Sequence, residues 1–89
     1  VTTSYLRVFK YPLELHHAPQ NPGLPIGAKV LHVAMQDGMI CLWALIDVRQ
    51  NSDNRMFVVY ATGASVETCG EYVGTVQDPP FVWHVFEAV

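Results

Sequence analysis

AKVLHVAMQDGMICLWALID, residues 28–47, decides the fold. Two apolar runs flank Asp37-Gly38. Asp-Gly in that position is a strong two-residue hairpin signal, because a type I′ turn needs positive φ at both central residues. A two-residue loop also sets the pairing: Gln36 opposite Met39, Ala34 opposite Cys41, His32 opposite Trp43 and Val30 opposite Leu45. Side chains alternate along each strand, so the hairpin divides into two faces. Leu31, Val33 and Met35 with Ile40, Leu42, Ala44 and Ile46 make a purely aliphatic face, the predicted core. The other face carries Gln36, Met39, Cys41, His32 and Trp43, a semi-polar aromatic surface that suits a subunit interface or a flat ligand.

Further strands flank this hairpin. SYLRVFKY (4–11) is rich in aromatic and β-branched residues, and Pro12 either ends it or places it on an edge. LHHAPQNPGLPIG (15–27), with three prolines and two glycines, is a connection. RQNSDN (49–54) is a polar loop and RMFVVYA (55–61) a strand. TGASVETCG (62–70) is a loop with room for one helical turn, and EYVGTVQ (71–77) and FVWHVFE (81–87) form a last hairpin around Asp78-Pro79-Pro80. No segment shows helical periodicity beyond one turn, and no internal repeat is visible. The expected architecture is a single compact β domain over residues 1–89: all-β with at most one short helical turn, a small antiparallel barrel or sandwich of about six strands.

In FVWHVFE, Phe81, Trp83 and Val85 point one way while Val82, His84 and Phe86 point the other. Both faces of that strand need cover: one packs the core, the other meets a loop, a subunit or a ligand.

Composition narrows the function. Of 89 residues, 51% are hydrophobic and only 15% charged, against roughly 25% in ordinary domains. A small domain with so little charge has surface that is not simply solvated, which predicts a homo-oligomer or a partner. The net charge of −3 and unclustered Lys and Arg argue against duplex DNA and against an anionic membrane. No stretch approaches the ~20 apolar residues of a membrane-spanning helix, and residues 1–5 open no signal peptide. Cys41 and Cys69 have no metal-site spacing, and a disulfide between them is possible but unneeded; the expected setting is a reducing cytoplasm.

No reaction can be read from the residues. His16, His17, His32 and His84 lack a Cys or carboxylate at zinc-like spacing, so no metal and no cofactor is expected. Cys41 lies in mid-strand as a small buried hydrophobe. Nothing lowers the pKa of Cys69, the Asp and Glu residues lie in loops or at strand ends, and TGASV lacks a nucleophile-elbow glycine pattern. No catalytic residue is assigned. Binding is better served. Trp43, Tyr60, Trp83 and Tyr72 offer faces for stacking, and Arg7, Arg49 and Arg55 offer charge for phosphate. The candidate ligand-binding set is Trp43, His32, Tyr60, Trp83, His84, Arg7 and Arg55, with the competing reading that the aromatic side chains fill a core.

FKYPLEL (9–15), PIGAKVLHV (25–33) followed by CLWALID (41–47), YVGTV (72–76) and FVWHVFE (81–87) occur in an order that resembles a family of small bacteriophage and prophage proteins, a domain-of-unknown-function family. The resemblance spans nearly the whole chain and carries no catalytic residues with it. It implies a viral origin, a free-standing domain and action in the host cytoplasm. On that basis the expected function is non-enzymatic: a phage-encoded binding protein that counters host antiviral defence, in its most concrete form by sequestering a cyclic nucleotide or related signal. The alternatives are an inhibitor that binds a host defence or regulatory protein, and a minor virion or tail-assembly component.

Overall fold

The computed structural model describes residues 4–88. Six strands follow one another: β1 (Leu6–Leu13), β2 (Lys29–Gln36), β3 (Met39–Asp47), β4 (Phe57–Ala61), β5 (Glu71–Asp78) and β6 (Phe81–Glu87). They form two antiparallel three-stranded sheets, ordered β1-β3-β2 and β4-β6-β5. Neither sheet closes on itself, so of barrel and sandwich the chain forms the sandwich. Residues 62–70 make a turn but no helical segment.

The Asp37-Gly38 turn has positive φ at both residues, 51° and 78°, as a type I′ turn requires. The register beyond it runs as the turn dictates for Gln36–Met39, Ala34–Cys41 and His32–Trp43. It then slips. Val30 faces Ala44 instead of Leu45, because a bulge at Leu31 inserts one extra residue into β2. The bulge also turns Leu31 out of the core, where the alternating pattern had put it: its side chain is 47% exposed. The other aliphatic positions behave as expected. Val33, Ile40, Leu42, Ala44 and Ile46 are buried and share one core with Leu13, Leu24, Phe57, Val59, Val76 and Val85.

Pro12 does not end β1, which continues through it to Leu13. The reason is the direction of its missing N–H. Val48 N–H donates to Tyr5 C=O at 3.0 Å, and the Leu6–Asp47 register continues that ladder. Hydrogen-bonded and non-hydrogen-bonded pairs alternate in an antiparallel ladder. Tyr5, Arg7, Phe9 and Tyr11 therefore turn their backbone groups to β3. Leu6, Val8, Lys10 and Pro12 turn theirs to the open edge, where a proline removes nothing from the sheet.

FVWHVFE is β6, the central strand of its sheet, with one face on the core and the other packed through Phe86 against Tyr60 and Tyr72. Val85 lies in the core. On the opposite face His84 is held from both sides: Thr62 Oγ1 lies 2.7 Å from Nε2 and Thr75 Oγ1 3.1 Å from Nδ1. Thr62 Oγ1 donates to Val82 C=O, so it accepts from an Nε2–H, and Nδ1 accepts from Thr75. Tyr72 O–H completes the relay at 2.6 Å from Thr75 Oγ1. The histidine in the apolar strand is thus a satisfied polar group bridging β5 to the end of β4.

The two sheets repeat one plan, although the sequence shows no repeat. Each has an edge strand, then a hairpin whose second strand becomes the centre of the sheet. Each hairpin carries a bulge in the same place, at Leu31 in β2 and at Val73 in β5. Between bulge and turn, Gly74–Val85 through Asp78–Phe81 mirrors His32–Trp43 through Gln36–Met39 pair for pair. β2 and β5 also make the close contact between the sheets, where Val33 packs directly over Gly74.

Candidate ligand-binding groove

The two bulges lie just before Val33 and Gly74. A cavity of about 410 Å³ opens there, lined by Ala28–His32 of one sheet, Glu71–Val73 of the other, and Arg55 and Glu87. Both strands are edges of their sheets, and bulges commonly occur where a ladder must end or a side chain be re-aimed.

Arg55 and Glu87 close one side. Arg55 Nε and Nη2 donate to the two Glu87 carboxylate oxygens at 2.8 Å each, and Nη1 donates to Ala28 C=O. The hydrogen bonds from Arg55 hold the Glu87 carboxyl below its ordinary value, and those to Glu87 raise Arg55. Three of the five guanidinium N–H groups are thereby engaged, leaving two for a ligand. Lys29 and His32, both exposed, add a cation and an imidazole from β2; Glu71 adds an exposed carboxylate from β5. Tyr72 is 57% exposed, with its hydroxyl tied to Thr75 and its ring edge-on to Phe86 at 5.7 Å. Its orientation is set before anything binds.

The seven residues singled out in the sequence do not converge. His32 and Arg55 line the groove. Trp43 pairs with His32 across the hairpin, ring centroids 6.0 Å apart, but it sits half-buried on the outer face of the first sheet. Tyr60 is 2% exposed on the outer face of the second sheet, between His17 and Phe86. His84 occupies the threonine relay. Trp83 stacks on Phe81 at 5.5 Å, and its Nε1–H donates to Asp78 at 3.2 Å. Arg7 curls back to the carbonyls of Ser4 and Leu6. Lys29, Glu71 and Glu87 are groove residues that pattern reasoning missed, because only the crossing of β2 and β5 brings them together. Both cysteines are free, Cys41 buried and Cys69 exposed. Among the described residues no helix is long and apolar enough to cross a membrane.

A second cavity of about 380 Å³ lies over Tyr60, against His17, Pro19, Ser65, Glu67 and Thr68. The Tyr60 hydroxyl donates to Thr68 C=O at 2.8 Å and accepts from Thr68 N–H at 2.9 Å, pinning the 62–70 loop. Tyr60→Phe leaves both Thr68 groups without their partner. It is expected to cost about 1–2 kcal/mol and to speed amide exchange across residues 64–69 more than in β4. Unchanged exchange there would mean that other contacts hold the loop.

Residues 5–89 match a family described as a domain of unknown function (DUF7352), and the chain belongs to that family. No curated protein and no solved structure matches it.

Proposed function

We propose that this protein is a non-enzymatic binding protein whose ligand, an anionic nucleotide-type molecule, enters the groove between β2 and β5. The observation that carries the reading is that Lys29, His32, Arg55 and Tyr72 all line one cavity of about 410 Å³, a volume within the range of small-molecule sites. Tyr72 stacks a base, a contact worth about 1–3 kcal/mol. Lys29, His32 and the two spare N–H groups of Arg55 take phosphate oxygens, while Glu71 accepts from an exocyclic amine or a ribose hydroxyl. Lys29 and Glu71 hold equivalent places in the two halves but carry opposite charge, so the groove orients its ligand. A cyclic nucleotide is the most concrete occupant. In the phage setting that the sequence resemblance implies, capture without turnover lowers a host defence signal in the host cytoplasm.

A second reading, an inhibitor seated on a host defence protein, is favoured by one observation. The outer face of the first sheet exposes Leu6, Val8 and Met39 around half-buried Trp43, with none of the six strands packed across it.

Titration calorimetry against cyclic mono- and dinucleotides tests the first reading. Wild type is expected to bind one of them, and Tyr72→Ala to weaken that binding about tenfold or more at unchanged circular dichroism. Binding that survives both Tyr72→Ala and Lys29→Glu would place the ligand elsewhere. Absence of binding across the panel, with a host protein retained through the Trp43 face, would favour the second reading.

A further inference from the structure

The first sheet has a second open edge, β1, on the side away from the groove. Residues Leu6–Lys10 are exposed on both faces of the sheet, with Leu6 51%, Val8 55% and Phe9 46% accessible. Natural edge strands are usually shortened, covered or charged against pairing. This one spans eight residues and keeps apolar side chains on both faces.

We propose that β1 pairs antiparallel with β1 of a second copy about a two-fold axis at Phe9, joining the two first sheets into one six-stranded sheet. The argument is the strand's complementarity to itself. Outward backbone groups belong to Leu6, Val8, Lys10 and Pro12, as the ladder to β3 requires. With Phe9 on the axis, Val8 and Lys10 of each copy exchange both of their hydrogen bonds. Leu6 then falls opposite Pro12 of the second copy, which has an acceptor but no donor. Leu6 N–H, which in the monomer donates to Ser4 Oγ at 3.2 Å, meets that acceptor. Leu6 C=O would be left without a donor, and it is the carbonyl that already accepts from Arg7 Nη1 at 2.8 Å. The one gap in the ladder is filled from within the chain.

The side chains agree. Phe9 meets its own copy in a close, non-hydrogen-bonded pair, Arg7 faces the ring of Tyr11, and Lys10, its ammonium donating to Gln36 Oε1 at 2.6 Å in its own sheet, stands opposite Val8. No cation stands opposite a cation. Moving the axis to residue 7 would set Arg7 against Arg7. Moving it between residues would put the inner face of one sheet beside the outer face of the other.

Sedimentation of the purified chain over a range of concentrations tests the pairing. Wild type is expected at twice the monomer mass. Val8→Pro removes an outward N–H from each copy and takes nothing from the ladder to β3. It is expected to weaken the dimer about a hundredfold with the circular dichroism spectrum unchanged. Phe9→Lys, which places like charges on the axis, should dissociate it independently if Val8→Pro disturbs the strand. A wild-type monomer at every concentration would overturn the proposal. So would a dimer that both variants leave intact, or a foreign protein bound in place of the second copy. Because β1 lies on the far edge from β2, nucleotide binding in the groove and dimerisation fail or succeed separately.

Discussion

Gly74→Val is expected to remove most of the protein's stability, and Gly74→Ala to cost about 1–2 kcal/mol. Two effects oppose each other at this position. Gly74 is not in a positive-φ conformation, so alanine adopts the backbone without strain and gains roughly 0.4–1 kcal/mol from reduced freedom in the unfolded chain. Against that, a Cβ on Gly74 would meet Val33 Cγ1 closer than real Cβ contacts come, and overpacking of this kind costs roughly 1–3 kcal/mol. The clash wins, because Val33 is itself buried at 7% exposure and β-branched, with little room to turn aside. A domain of this size has about 5–10 kcal/mol in total, so the bulkier valine removes most of the margin. Urea unfolding reads the effect, and Val33→Ala isolates its cause. In that background Gly74→Ala should be neutral or stabilising, a coupling of at least ~1 kcal/mol. If Gly74→Ala alone stabilises the protein, β2 and β5 are not as close as described.

Arg55→Ala is the second large effect, expected at about 2–3 kcal/mol. The pair with Glu87 is only partly exposed, 21% and 23% at the two side chains, so its loss exceeds the ~0–1 kcal/mol typical of surface pairs. It falls short of a fully buried one, where stranding a partner costs roughly 3–5 kcal/mol. Removing Arg55 strands the Glu87 carboxylate and also frees Ala28 C=O. The effect has a signature in acid. Glu87 is held below its ordinary value of 4.5, chiefly by the hydrogen bonds from Arg55. A depressed carboxylate adds stability that is complete above its unfolded value and is lost as pH falls through its folded value. The difference between wild type and Arg55→Ala should therefore be full at neutral pH and shrink below about pH 4.5. A second carboxylate extends the acid loss in both proteins. Asp47 is lowered from 3.8 to about 2 by its hydrogen bonds with Arg49, so its contribution disappears only toward pH 2. A difference that stays constant from pH 7 to pH 3 would mean that Arg55 acts through packing on Phe57, whose ring lies 5.8 Å from the guanidinium.

Much of the fold was legible because turns set registers. Asp37-Gly38 dictated the pairing of β2 with β3 out to His32–Trp43, and the alternating pattern marked Ile40, Leu42, Ala44 and Ile46 as buried but not Cys41, which is buried on the opposite face. The pattern fails at Leu31. A bulge there has no glycine to announce it, and a one-residue shift costs the pattern only one apolar residue, so the sequence reads through it. Pro12 was ambiguous for a related reason. Whether a proline ends a strand depends on which way its nitrogen faces, and that follows from the phase of the ladder to β3. The groove was the least legible part. Its residues come from the starts of β2 and β5, from Arg55 before β4 and from the end of β6, and no spacing along the chain links them. Aromatic content pointed instead to Tyr60 and Trp83, whose rings and polar atoms are taken up by their neighbours.

The repeated plan of the two sheets has a consequence for how the chain is held together. Each half contains a full ladder with its own centre strand, so the covalent link through residues 48–56 completes neither sheet. What joins the halves is packing across Val33 and Gly74, together with three seams of backbone hydrogen bonds: Ile26 to Asn51, Asp53 to Leu24, and Gln20 with Phe57. A chain break after Arg49 would leave every one of those seams intact. Such a molecule is two interlocking pieces that need no covalent bond at that point, stitched by the linking segment itself, and the groove lies along the join between them.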